Sequence, residues 1–282
     1  MKDATNYLTG KLLSLRLLAF ALAFPAFVLP CKAQVYNLTD NNSAVKVDVG
    51  TQAGMSQWAV DGQNQLHQQW FWFGIGNGPE AAINTISAAT VTTPDARTLY
   101  TTYANLQLSI EVDYSLTGGF AGSGSSHIGE VIRIQNLSSS SLSLHFFQYS
   151  DFDLAGTPGN DTLQLGLNGQ GRFYDAFQSE GTLAFHETVV TPGANHGEAA
   201  LFGQTLGELN DLTQTTLNNS LGPVGPGNAT WALQWDLTIA AGGTALISKD
   251  KTIEIAPEPS TFVLTGLGLL ACVLLKRRQS AY

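Results

Sequence analysis

Cysteine is almost absent from this chain: Cys31 and Cys272 are the two in 282 residues. They lie in the first 33 residues and in an uncharged run near the end, so residues 34–255 contain none and no disulfide holds that stretch together. Basic residues are also scarce there. The same stretch has 20 Asp and Glu against 6 Lys and Arg, a net charge of −14, compared with −9 for the whole chain. Nucleic acid is excluded as a partner, because binding to phosphate is dominated by Lys and Arg. The five histidines, His67, His127, His145, His186 and His196, never recur at the three- or four-residue spacing that puts two zinc ligands on one helix face. No Gly-x-Ser-x-Gly elbow and no phosphate loop occur, and Gly74-Ile75-Gly76 and Gly169-Gln170-Gly171 lack the third glycine of a dinucleotide site. Stability must come from packing. A stretch of this length can bury roughly 70% of its unfolded surface.

The two ends carry the clearest motifs. Lys2, Lys11 and Arg16 precede the apolar stretch from Leu17 to Leu29, the pattern of a secretory signal helix. The small residues Cys31 and Ala33 place the cleavage between Ala33 and Gln34. A lipoprotein site at Cys31 is disfavoured by Pro30 directly before it. At the other end, Pro257, Glu258 and Pro259 make a stiff, extended hinge. Ser260 to Leu275 follows without a charge, about 24 Å as a helix, and Lys276, Arg277 and Arg278 form a basic stop. That run is short for the roughly 30 Å hydrocarbon core, and the basic stop supplies the snorkelling that lets it span with its C-terminus cytoplasmic.

This tail resembles the sorting signal of bacterial PEP-CTERM proteins, and the resemblance covers about a tenth of the chain. It implies an exosortase-type membrane protease as partner, with Pro257, Glu258 and Pro259 as its recognition site. It also implies a transient inner-membrane anchor and a final location in the cell envelope or outside the cell, in a setting of exopolysaccharide and biofilm. The expected organisation is a signal peptide at 1–33, an acidic exported domain at 34–255 and a sorting signal at 256–282.

Within 34–255 the pattern is that of strands. Val45, Val47 and Val49 alternate with charged residues, and Leu106, Leu108, Ile110, Val112, Tyr114 and Leu116 alternate with polar ones. Thr117 to Ser126 reads as a mobile glycine-serine loop. Ile128 to Leu137 and Leu142 to Tyr149 read as one hairpin. Trp231 to Ile239, the Gly242-Gly243 turn, Ala245 to Ile247 and Thr252 to Ile255 read as another. Leu206 to Leu217 is the one candidate helix. The fold class expected is all-β, an antiparallel β-sandwich, flanked by the signal helix and a single transmembrane helix.

Two constellations are candidates for binding. Trp70-Phe71-Trp72-Phe73 puts two rings on each face of a strand, which suits a strand buried on both faces or, with Trp70 and Trp72 exposed, a platform for sugar rings. Asp151 and Asp153 point to one face of a strand, where like charges repel unless a cation separates them; with Asp161 they make a candidate calcium site. The segment departs from an EF-hand at Ala155 and Thr162, and Asp151 and Asp153 stand too close together for a glycosidase pair. The leading expectation is an exported structural or binding module without enzymatic activity. A carbohydrate-binding module, calcium-dependent or not, and a polysaccharide-active enzyme are the alternatives.

Overall fold

The computed structural model describes residues 34–255, which form two nine-stranded sheets. The segments assigned to the signal peptide and the sorting signal lie outside the described residues. The chain lays down the first sheet with β1 (Val35–Asp40), β2 (Ser43–Asp48), β3 (Gly54–Val60), β4 (Gln63–Asn64), β5 (Gln68–Ile75) and β6 (Ala81–Ala82). It then builds in the second with β7 (Thr90–Thr92), β8 (Thr98–Ala104), β9 (Leu108–Gly118) and β10 (Ser126–Asn136). From there it alternates. β11 (Leu142–Asp151) joins the first sheet, and β12 (Asp161–Leu167), β13 (Phe173–Glu180) and β14 (Leu183–Thr191) join the second. β15 (His196–Leu201) and β17 (Ala229–Ile239) belong to the first, β16 (Val224–Gly227) and β18 (Thr244–Ile255) to the second. The first sheet runs in the order β1-β2-β3-β5-β11-β17-β15, the second in the order β16-β12-β13-β14-β18-β10-β9-β8-β7. All pairings are antiparallel except β3 with β5.

Both expected hairpins are corrected by this order. β10 pairs with β9 and β18, while β11 pairs with β5 and β17. The chain therefore changes sheet after Asn136, and changes again between β17 and β18. One buried side chain ties the two crossovers: the Asn136 amide donates to Ser140 O at 2.7 Å, Ile239 O at 2.9 Å and Ala240 O at 3.1 Å. Leu106, read as the start of a strand, is 98% exposed in the turn before β9. The glycine-serine loop is held by Asp61, whose carboxylate accepts from Gly122 N at 2.6 Å and Gly124 N at 2.8 Å. The expected helix shrinks to α1 (Gln204–Glu208), and residues 209–223 run as coil. No helix among the described residues is long and apolar enough to cross a membrane.

The core between the sheets is aromatic. Phe152 stacks on Trp231 with centroids 5.4 Å apart, and Phe185 packs against both and edge-on to Trp58. Such pairs contribute about 0.5–1.5 kcal/mol each beyond the area they bury. Gly54, at φ +57°, leaves room for Trp70: a Cβ there would fall 2.3 Å from the indole.

A charged cluster interrupts this core. Lys249 and Lys251 were expected between two short strands; they lie instead within the continuous β18 and point inward. Lys251 Nζ meets Glu130 Oε1 at 2.9 Å and Gln69 Oε1 at 2.7 Å, and Lys249 is paired to the other oxygen of Glu130. Lys249 also lies 4.9 Å from the Phe71 ring centroid. From the opposite sheet Gln148 donates to Glu187 at 2.6 Å. Two lysines and two glutamates are thus fully buried and balanced in charge. Burial alone would raise the Glu130 carboxyl, but the two ammonium groups outweigh it and hold it below its usual range.

Candidate functional site

The register fixes which side chains leave the sandwich. Gln148 faces the second sheet, so its strand neighbours Phe147 and Tyr149, and with them His145 and Asp151, face outward from β11. Across the ladders the same outer face receives Trp70 and Trp72 from β5, Gln234 and Asp236 from β17, and His196 and Glu198 from β15. Much of it is covered by the chain itself. Residues 203–222 lie across it, with Thr215 N donating to Glu80 at 3.1 Å, Leu217 N to Gln234 Oε1 at 2.9 Å and Thr205 Oγ1 to Glu198 at 2.6 Å. Two backbone donors of 209–217, Thr215 N and Leu217 N, are thus used by Glu80 and Gln234 rather than by a helix. Burial raises the Glu80 carboxyl, partly offset by the Thr215 N–H.

Where the cover ends, Asp236 lies between two imidazoles. His145 stands directly across the ladder from Asp236, and its Nδ1 donates to Oδ1 at 2.7 Å. The Gln214 amide approaches His145 Nε2 at 3.2 Å. With Nδ1–H donating, Nε2 is the acceptor that the amide N–H needs, which assigns the tautomer from the network. His196 Nε2 is 3.3 Å from Asp236 Oδ2, and its Nδ1 is 3.0 Å from Asn219 Oδ1. Both ring nitrogens of His196 thus face side-chain oxygens, those of Asp236 and Asn219. Gln234 Nε2 donates to Asp236 Oδ1 at 2.7 Å, and Asp236 N donates to Asn195 Oδ1 at 3.2 Å. Burial works against ionisation of Asp236, but the hydrogen bonds from His145 and Gln234 and the nearness of the two imidazoles outweigh it, leaving the carboxyl below its usual range.

A cleft of about 440 Å³ opens beside this cluster, lined among others by Asn168, Gln170, Arg172, Asn195, Trp235 and Asp236. Its size suits a sugar unit, and its lining offers several amides, one guanidinium and a carboxylate. The Trp235 indole is fixed by its bond to Pro192 O at 2.9 Å.

The candidates singled out in the sequence lie elsewhere. Trp70 and Trp72 are completely buried, their indoles bonded to Asn84 and Asn210, so they offer no face to a sugar. Phe71, Trp231 and Trp235 are buried too. The strand is covered on both faces, as the first of the two readings expects. Asp151 and Asp161 are fully buried, and none of their four carboxylate oxygens has a hydrogen-bond partner. Gln178 lies beside Asp161 but gives its N–H to Phe152 O at 2.7 Å. Burial first, then the nearby carboxylates, raises Asp151 to about 7; for Asp161, burial again leads, with Glu180 and Asp153 adding to it, to about 7. Asp153 turns away toward His67, 3.9 Å off, its carboxyl raised by burial against the pull of that imidazole. Among the described residues no group of three or more His, Cys, Asp or Glu could hold a metal ion, so the three aspartates are neighbours but not a ready ligand set. Nothing local in the sequence links His145 to Asp236. Only the β11–β17 ladder brings them together, and the sequence gives no sign of that pairing.

No family model matches the chain, and no curated protein matches it either. Solved structures do share the fold. A protein of Escherichia coli assigned as an aldose 1-epimerase superposes with a TM-score of 0.55 at 9% identity, over 79% of this chain and 100% of that one. A bacterial glucoamylase in complex with acarbose gives 0.53 at 9%, over 84% of this chain and 36% of that one. A protein of Synechocystis sp. PCC 6803 gives 0.50 at 10%, over 79% and 96%. The class is therefore an all-β, two-sheet fold, shared with these structures. The expectation of a domain without enzymatic character is overturned by this likeness. Composition and motif search could not have found it, because at such identity the fold is shared without a shared motif.

Proposed function

We propose that residues 34–255 form a carbohydrate-active domain that binds a sugar in the cleft beside Asp236, with His145 and His196 as its proton-transfer groups. The observation that carries the reading is the carboxylate held between two differently bonded imidazoles at the edge of a polar cleft. Opening a cyclic sugar at its anomeric carbon needs one group to accept a proton from the hydroxyl and another to supply one to the ring oxygen. His145 and His196 are the two titratable rings set against Asp236, which orients both. The shared fold with a protein assigned as an aldose 1-epimerase supports a reaction of this class. The test is twofold: sugar binding followed by calorimetry, and the approach of a freshly dissolved aldose to anomeric equilibrium followed by NMR. Both should respond to Asp236→Asn. A chain that neither binds any sugar nor accelerates that equilibration refutes the reading.

The ends of the chain support a location for this activity. The proposal is an exported domain, sorted through Pro257, Glu258 and Pro259 by an exosortase-type protease, and placed in the envelope or matrix of a polysaccharide-producing cell. Glu258→Ala should leave export intact and impair tail processing in cell fractions. Full-length protein confined to the cytosol counts against it.

A further inference from the structure

Resting on the sugar site beside Asp236, we infer that the sugar it takes is acidic, a uronic acid unit whose carboxylate is met by Arg172. The argument begins with how few cations the surface has. Of the six basic residues in 34–255, Lys249 and Lys251 are buried in the core, leaving Lys46, Arg97, Arg133 and Arg172. Arg97 stands 4.0 Å from Asp95, and Arg133 is bound by Asp113 at 2.6 Å and by Glu111. Arg172 has neither an ion pair nor a side-chain hydrogen bond among the described residues, and it lines the cleft. Lys46, the other unpaired cation, lies on β2.

The position of Arg172 is built rather than accidental. Asn168 Oδ1 accepts from Gln170 N at 2.9 Å and Arg172 N at 3.0 Å, and Asn168 N donates back to Arg172 O at 2.9 Å. Gly193 lets the opposite wall approach, since a Cβ there would lie 2.7 Å from Arg172 Cβ. In a domain with a net charge of −14, an unpaired guanidinium on a polar cleft is where an anion is admitted. A planar carboxylate suits one guanidinium, which grips it through two parallel N–H···O bonds. A doubly charged phosphate calls for more cation than one arginine supplies, and Asp236 lines the same cleft. Asn168, Gln170 and Asn195 are placed to bond the ring hydroxyls.

The experiment uses the full chain purified in detergent, with trigalacturonate, its methyl ester and galactose 6-phosphate as probes in calorimetry. The expected result is that trigalacturonate binds at least tenfold more tightly than its ester, and that Arg172→Gln abolishes the difference while leaving the melting temperature in place. Equal binding of acid and ester, or a preference that survives Arg172→Gln, overturns the inference while leaving the sugar site standing. Tighter binding of the phosphate than of the uronate overturns the carboxylate assignment. Binding of none of the three probes overturns the sugar site and this inference with it.

Discussion

Two ends of one sheet face treat carboxylates in opposite ways. On the outer face of β11 and β17, Asp236 and His145 occupy one end, and Asp151, six residues from His145 along the strand, occupies the other, roughly 20 Å away. Asp236 is partly open to solvent, receives the Gln234 amide and the His145 imidazole with His196 3.3 Å away, and is held ionised. Asp151 and Asp161 are sealed in, receive nothing, and hold their protons to about 7. A strongly shifted carboxyl is often read as a mark of a site. Here the larger shift belongs to groups no sugar can reach, and the smaller, opposite one belongs to the carboxylate at the cleft. Access and partners, not the size of the shift, separate the functional candidate from the structural one.

Substitutions can break or sharpen this contrast. The largest effect is expected at Glu130, a buried carboxylate that does have its cations. Glu130→Ala removes the carboxylate paired to both Lys249 and Lys251, leaves only Glu187, 4.0 Å from Lys249, against two buried charges, and should cost about 3–5 kcal/mol in denaturant unfolding. Asp151→Asn should act with the opposite sign. The folded chain keeps protons on Asp151 and Asp161 that the unfolded chain gives up above its ordinary carboxyl range, so stability is full below about pH 4 and falls as pH rises to about 7. At pH 8 Asp151→Asn should therefore stabilise by about 1–3 kcal/mol and flatten the pH profile. If the aspartates take calcium, millimolar calcium should remove the alkaline loss in the wild type and not in the variant. Asp236→Asn gives up charge-assisted bonds from His145 and Gln234 and should cost about 1–2 kcal/mol of stability. Its effect should also fall on sugar affinity, by tenfold or more, a loss of about 1.4 kcal/mol. The smallest effect is expected from Trp72→Phe, which removes the 3.3 Å bond to Asn210 and should cost about 1 kcal/mol without altering specificity for sugar.

The strands themselves were legible. The alternation from Leu108 to Leu116 matches β9 residue by residue, because a half-buried strand exposes its period of two directly. The sheet order was not. Ile128–Leu137 and Leu142–Tyr149 look like a hairpin because nothing local marks a change of sheet; the crossover is held by Asn136, whose partners lie about a hundred residues away. Lys249 and Lys251 fall between two short strands in the sequence for the same reason: their counter-charge, Glu130, is on a strand far off in sequence. The His145–Asp236 pair is of this kind too. Long-range pairing made the site, and local pattern could not show it.

The most direct test of the account is an NMR titration of the isotope-labelled chain with a galacturonate oligosaccharide, reading backbone amide shifts at neutral pH. Shifts centred on Asn168, Arg172, Asn195, His196 and Asp236, and lost in Asp236→Asn, are what the account predicts. No shifts at all, or shifts centred on the groove of Tyr100, Thr102 and Arg133 on the opposite sheet, would contradict it.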